Sequence, residues 1–330
     1  MIHGPHRRGL RLLSGVGGAE IAKAALSVPG SGGFQPKSRK TSVFLVVMCI
    51  LNGLTLGAVL FIVASGLTLS FSLMRVVNLS HGAFYLCGGF TGLTVYKISG
   101  SWVLGLLAAG SLVSILALVE ERFFLRWARG NDLIETLVSL SIAILISDLV
   151  LVIWTGYPRN IEIPAVLSGA VDLPGIGMPY PLFRLFTLGL AVALGLGLLL
   201  FLKKTNTGIL IRAGVDNFHM VAAMGFNVKR LFTLVFVLSG FLAGMAGVIG
   251  GTSWMLQVGE DWRILTLTLI VIIIGGMGSL GGTVLGALIT GVISEFSKAY
   301  VPEFSLFFLF LPVAVILSIR PQGLFGRGRV

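Results

Sequence analysis

The sequence predicts an all-α integral membrane protein: a polytopic helical bundle of about eight crossings, up to ten, with two discontinuous helix regions and both termini cytoplasmic. Three observations predict it. Of 330 residues, 55% are hydrophobic and only 11% charged, where soluble domains carry about 25% charge; mean hydropathy is +0.99. The uncharged residues come in runs long enough to match the bilayer core. The basic residues fall between those runs instead of gathering on one aromatic-rich face, which speaks against nucleic acid. This balance excludes an ordinary soluble enzyme and a disordered chain. Glycine, at 45 residues, is about twice its usual share of roughly 7% and suits helices that approach closely in lipid. Cys49 and Cys87 both sit inside apolar runs and read as packing residues, not as a disulfide or zinc site.

Taken in order, residues 1–40 hold seven basic residues (Arg7, Arg8, Arg11, Lys23, Lys37, Arg39, Lys40) and one acid, Glu20. They are expected to form a disordered basic extension ahead of one transmembrane domain, 41–330. No apolar run follows the basic start as a signal peptide requires. Thr41–Met74 is uncharged over 34 residues. As one helix it would measure about 51 Å against a core of about 30 Å, so a break is expected at Ser65-Gly66. Thr41–Ala64 would then span, and Leu67–Val77 would be a short second piece. Asn78-Leu79-Ser80-His81-Gly82 interrupts, and Ala83–Tyr96 resumes.

Trp102–Val119 is a clean span, and Glu120–Asp132 reads as a solvated charged loop. Leu133–Trp154 spans and carries one ionisable residue, Asp148. Tyr157–Pro181, with Pro158, Pro164, Pro174, Pro179 and Pro181, is a long loop. Leu182–Leu202 spans, Lys203–Arg230 is polar and basic, and Leu231–Gly251 is a glycine-rich span. In that span the pairs Gly240/Gly244 and Gly247/Gly251 fit small-xxx-small packing. Leu265–Ile274, roughly 15 Å as a helix, is too short to span. Gly275–Gly282 breaks it, Thr283–Ser294 continues, and Phe304–Ile319 closes the set. Residues 1–40, 120–132, 203–230 and 320–330 carry 18 Lys and Arg against 5 on the other loops. The positive-inside rule makes the first set cytoplasmic and requires an even number of crossings.

No G-x-x-x-x-G-K-[ST], HExxH or Cys/His ligand spacing occurs, so no catalytic residue, metal site or cofactor is expected. The two glycine-interrupted pieces are a stronger signal. Irregular backbone at membrane depth is tolerated where it is buried in protein or lines a cavity, and transporters place such breaks in corresponding halves along the substrate path. Asn78, Ser80, His81, Gly82, Gly275 and Gly276 are therefore candidate path residues. The alternative is a pair of tight helix crossings with no solute nearby. Asp148 is a further candidate, because a carboxylate at helix centre costs about 2.5–3.5 kcal/mol; its alternative is a subunit-interface hydrogen bond or a headgroup-level position.

Several of these segments carry a resemblance. Asn52-Gly53-Leu54-Thr55-Leu56-Gly57, then Val77-Asn78-Leu79-Ser80-His81-Gly82, then Ile274-Gly275-Gly276-Met277-Gly278-Ser279, then Arg320-Pro321-Gln322-Gly323-Leu324-Phe325-Gly326 resemble, in order, motifs of the permease subunits of branched-chain amino acid ABC importers. Leu79 and Ser80 depart from the family's Asn-Phe-Ala-His-Gly, while Asn78, His81 and Gly82 match. The resemblance covers about residues 48–326. It implies a type II-like importer fold and a non-enzymatic subunit forming half of a translocation path. The solute would be a branched-chain amino acid or a related small solute such as urea or a short amide.

The implied partners are a second related permease, two ATP-binding cassette subunits that hydrolyse ATP, and a periplasmic solute-binding protein. The chain would lie among lipid in the bacterial inner membrane, with no nucleic acid involved. Gly208-Ile209-Leu210-Ile211-Arg212-Ala213 and Ala222-Ala223-Met224-Gly225-Phe226-Asn227 resemble the family's coupling segment. Gly208, Arg212, Ala213, Asp216, Ala222, Ala223 and Gly225 are the implied ATPase contacts, with Arg212 and Asp216 spaced to share a helix face. The alternative is a solvated basic loop that only sets topology. From another class, the chain could be a self-contained secondary transporter or channel, for which Asp148 alone would have to supply the coupling-ion site.

Overall fold

The computed structural model describes residues 39–172 and 179–326. Contacts gather the described residues from Val46 onward into one compact unit. The expected basic extension lies outside the described residues except for its last two, which begin the first helix. The helices are α1 (Arg39–Met74), α2 (His81–Ser99), α3 (Trp102–Val119), α4 (Asp132–Trp154), α5 (Leu182–Lys204), α6 (Asn206–Ala223), α7 (Val228–Ser253), α8 (Glu260–Gly275), α9 (Leu280–Tyr300) and α10 (Ser305–Ile319). Local sequence sets several of the starts. Ser101, Asn131, Thr205, Asn227 and Ser279 each accept a hydrogen bond from a first-turn amide of the helix that follows, satisfying donors the helix leaves orphaned. Gly100, at φ 67°, ends α2 in a left-handed conformation that glycine adopts without strain.

Among the described residues, seven helical stretches are long and apolar enough to cross a membrane: Val43–Met74, Trp102–Ala128, Asp132–Trp154, Leu182–Lys204, Val228–Ser253, Leu280–Tyr300 and Pro302–Ile319. The chain is a multi-pass membrane protein. Helices α3, α4, α5 and α10 expose Leu104, Ile115, Leu145, Val152, Leu196, Leu200, Phe307 and Phe310, an apolar surface suited to lipid or another subunit and not to water. The core is built by α2, α3 and α7, whose glycines let backbones meet. A Cβ on Gly240 would lie 2.7 Å from that of Ala117, and one on Gly244 would lie 2.7 Å from the Ala109 carbonyl oxygen. Gly88 of α2 packs directly on Gly244. The small-residue pairs read from the sequence therefore mark real helix contacts.

The break expected at Ser65-Gly66 does not occur; α1 is one helix of 36 residues. Ser65 Oγ donates to the Ile62 carbonyl within the helix (2.8 Å). A Cβ on Gly66 would lie 2.8 Å from the Ser239 carbonyl oxygen. The small pair admits α7 to close contact instead of ending α1. The interruption comes later, at Arg75–Ser80, between α1 and α2.

This changes the threading. Around Asn52 and Thr55 α1 meets the beginning of α5: Thr55 and Tyr180 hydroxyls lie 3.0 Å apart, and Arg184 donates to Asn52. Its other end, Ser70 to Met74, shares a pocket with Glu135 and Ser139 of α4, at the opposite end of the bundle. That end carries the basic loops 120–132 and 203–230. Helices α1 and α3 run the same way, so α2 must bring the chain back between them, and α8 does the same between α7 and α9. Since α1 makes one pass and not two, residue 52 and residue 319 lie at opposite ends of the bundle. The expectation that both termini share one side concerns residues 1–38 and 327–330, which lie outside the described residues.

The Tyr157–Pro181 loop contains a small antiparallel pair that the proline-rich sequence did not announce: β1 (Ala170–Asp172) and β2 (Pro179–Pro181), with Val171 opposite Tyr180. It buries Tyr180 against α1, with only 1% of the residue exposed. At the same end, Arg159 and Leu256 exchange backbone hydrogen bonds (2.9 and 2.8 Å). This ties the loop to the segment that descends from α7 into α8.

Candidate functional site

The first break is a compact polar knot. Asn78 Oδ1 accepts from the Ser80 amide (2.9 Å) and hydroxyl (2.7 Å), an Asx-type turn that restarts the chain as α2. Ser80 Oγ lies 2.6 Å from Glu120 Oε2, and the Leu79 amide donates to Ser139 Oγ (3.2 Å). His81 Nε2 donates to the Val63 carbonyl (2.9 Å). Gly82 packs against the Asp261 backbone and Leu265. The structure thus brings Asn78, Ser80, His81 and Gly82 together. All four are buried inside the chain in this conformation, so the knot turns its polar groups inward.

Glu120 and Glu121 differ from the expectation of a solvated charged face. Each is 2% exposed. The end of α3 continues through a π-helical turn, Glu120–Leu125, and this wider turn directs both carboxylates into the bundle. Glu120 faces Ser80. Glu121 pairs with Arg129 and accepts from Thr233 Oγ1 (2.6 Å). Arg129 also stacks over the Phe232 ring at 4.3 Å. Arg122 and Arg126 are exposed, as expected.

The second break, Gly276–Ser279, holds Gly276 and Gly278 at φ 101° and 88°, a region where side chains are strained. The amides of Leu324 and Phe325 donate to the carbonyls of Ile274 and Gly275 (3.0 Å each). The C-terminal motif therefore satisfies carbonyls that the end of α8 leaves unpaired at depth. Thr68 and Thr283 hydroxyls meet at 2.8 Å, and Ser72 Oγ donates to the Gly278 carbonyl (3.2 Å). Both breaks thus flank the same stretch of α1. Gly275 and Gly276 are buried; Asp148 stands apart from both breaks, exposed between the apolar Leu145 and Leu149.

Helix α6 lies at the basic end, outside the core. It kinks at Asn217, whose side chain accepts from the Met220 amide (3.1 Å) and so caps a second short helical piece. Arg212, Ala213, Asp216, Ala222, Ala223 and Gly225 are all exposed. Gly208 is not: it is buried against the last turn of α5. Among the described residues, no group of three His, Cys, Asp or Glu side chains is arranged to hold a metal.

The family model described as "Branched-chain amino acid transport system / permease component" matches residues 49–318. The chain belongs to this family. It is 26% identical to the high-affinity branched-chain amino acid transport system permease protein BraD of Pseudomonas aeruginosa, over 85% of this chain and 96% of that one. It is also 26% identical to the permease protein LivH of Escherichia coli, over 84% and 95%. A solved complex, PsaBC from Streptococcus pneumoniae with a Fab, aligns with 17% identity and a TM-score of 0.45, covering 91% of this chain and 94% of that one. The curated relatives are named as permeases and not as enzymes.

In this permease, the sequence reading missed side chains on the kinked segment that the structure puts in view. Phe218, Met220, Met224 and Phe226 are 41%, 64%, 70% and 45% exposed. Their signal was present as large apolar residues inside an otherwise polar, basic stretch. Exposed methionine and aromatic residues away from the lipid-facing helices are what a docking surface presents.

Proposed function

We propose that this chain is the membrane-spanning permease subunit of an ABC importer in the bacterial inner membrane. It would form half of the path for branched-chain amino acids or related small solutes, such as urea or short amides. Its partners would be a second related permease, two ATPase subunits that carry all ATP hydrolysis, and a periplasmic solute-binding protein. The basic end is cytoplasmic and the β1–β2 end periplasmic, following the 11 Lys and Arg on residues 120–132, 203–230 and 320–330 against 5 on the loops of the other end, residues 1–40 left out of the count. The coupling contact is the kinked segment from Asn217 to Phe226 with Arg212, Ala213 and Asp216. The observation that carries this reading is the exposed apolar cluster there, joined to two short exposed alanines that leave room for a partner's groove.

The two breaks border the path, and they are the places where the bundle bends between its inward-open and outward-open forms. Freed backbone at Arg75–Ser80 and Gly276–Ser279 gives α1, α2, α8 and α9 points about which to move. In this reading Asn78, Ser80, His81, Gly82, Gly275 and Gly276 shape the path from behind. Asp148 faces outward, towards lipid or another subunit.

The test is ATPase activity of the reconstituted complex with and without loaded binding protein. Ala223→Trp should abolish stimulation while the complex still inserts, because bulk at the contact blocks docking. Gly225→Trp should do the same and also strain the backbone, since Gly225 has φ 85°. Arg212→Ala should be milder, because exposed charges on a helix contribute only about 0.2–0.5 kcal/mol. Full stimulation in the Ala223→Trp complex would remove the docking assignment.

A further inference from the structure

Helix α8 starts inside the bundle. Gly82, at the beginning of α2, touches the Asp261 backbone; at 1.5 Å per residue that contact lies roughly 25 Å along α2 from its far end at Gly100. Asp261 also accepts from Ser147 Oγ (2.6 Å), a residue about 10 Å short of the outer end of α4 by the same rise. Both contacts place the first turn of α8 below the membrane surface. In that turn Arg263 is paired with Glu260.

The geometry of the pair is one-sided. Arg263 Nε lies 2.9 and 2.8 Å from the two Glu260 carboxylate oxygens, and Nη2 also donates to Oε1. Glu260 is nearly buried, with 8% of its side chain exposed, while Arg263 shows 42% of its own. Among the described residues, Nη1 has no protein partner. The guanidinium is therefore fixed along one edge and open along the other. An arginine half exposed at this depth is expensive against lipid, so this face belongs to water or to a solute.

The face continues. Trp262, Arg263 and Thr266 are exposed, Leu269 and Ile273 half-exposed, and Met277 exposed at the second break. One stripe of α8 thus leads from the arginine to the glycine break at the basic end. By contrast, the groove of about 290 Å³ between α1, α5 and α9 is lined wholly by apolar residues and has nothing to orient a charged group.

We propose that Arg263 is a contact for the carboxylate of the transported solute, held ready by Glu260. An arginine fork with one free edge matches a carboxylate in two parallel hydrogen bonds. Glu295 and Tyr85 lie within electrostatic range of the guanidinium, and Glu295 pairs with Lys298 at 2.8 Å. The two carboxylates and two cations cancel formally. A locally neutral group favours a zwitterion over an anion, which would be drawn to an unbalanced positive site and held there. This deepens the import reading and rests on it.

The experiment uses the complete complex in liposomes with labelled L-leucine, measuring uptake and stimulated ATP hydrolysis side by side. Arg263→Gln should lower uptake about tenfold or more, the weight of a charge-assisted hydrogen-bond pair. Stimulation of hydrolysis by loaded binding protein should persist, so that leucine moved per ATP falls. Arg263→Lys, which keeps charge without the fork, should be intermediate. Unchanged leucine per ATP in Arg263→Gln overturns the inference alone. Loss of the assembled complex on size exclusion also overturns it and makes Arg263 a subunit contact. A wild-type complex that moves no carboxylate-bearing amino acid overturns the import reading and this inference with it.

Discussion

Arg129 separates a buried charge network from the surface charges around it. Its partner Glu121 is 2% exposed, while 21% of the Arg129 side chain is open. Removing one member of a fully buried pair typically costs 3–5 kcal/mol, because the other charge is left stranded. Here Thr233 still donates to Glu121, and the partial exposure of Arg129 lets water compensate. The stacking on Phe232 is lost as well, worth roughly 0.5–1 kcal/mol. Arg129→Ala should therefore destabilise the permease by about 2–4 kcal/mol. Arg122→Ala and Arg126→Ala, seven and three residues before Arg129 in the chain and both exposed, should stay within about 0.5 kcal/mol. Thermal unfolding of the detergent-solubilised protein reads the difference. A double variant, Glu121→Gln with Arg129→Ala, should recover part of the loss because no buried charge remains. If Arg129→Ala melts like Arg122→Ala, the glutamates are solvated after all and the burial argument is wrong.

Three further outcomes follow from the same contacts. Glu120→Gln should be tolerated better than Glu120→Ala in assembly and uptake, since a single Ser80 hydroxyl proton cannot serve both Asn78 and Glu120 and a neutral side chain of the same shape keeps the knot; equal losses in the two variants would contradict this. Gly88→Val should destabilise by at least about 1–3 kcal/mol through overpacking, because its Cβ would press on the Gly244 backbone, while Gly189→Ala, which meets nothing within 4 Å, should be neutral in the same melting assay. A cysteine placed at residue 165 should react with an impermeant reagent from the periplasmic side, and one at residue 216 should not; the reverse pattern would overturn the orientation and the docking assignment together.

The parts legible in the sequence are those fixed by local pattern. Trp102–Val119 was read to the residue, and Leu182, Leu231 and Phe304 lie within three residues of the starts of α5, α7 and α10, because bilayer thickness and flanking charge delimit such runs. The second break was legible because five of the eight residues Gly275–Gly282 are glycine. Ser65-Gly66 misled because a small pair in an apolar helix has two uses, ending the helix or admitting a neighbour, and only the position of Ser239 decides. Glu120 and Glu121 misled because depth along a helix is not encoded in charge pattern; the π-helical turn rotates them inward. Arg263 was counted as a loop cation, since nothing local shows that α8 begins well inside the bundle. The exposed Phe218, Met220, Met224 and Phe226 were visible as residue types, but their use required knowing that this helix lies off the core.

The most direct test of the account is uptake by purified components in liposomes. The chain, a related second permease, the two ATPases and the loaded binding protein together should accumulate a branched-chain amino acid only when ATP is present. The chain alone should carry no proton- or sodium-driven flux. Gradient-driven uptake by the chain without ATPases, or no ATP-driven uptake by the complete set, would contradict the assignment of this protein as the passive half of an ATP-powered path.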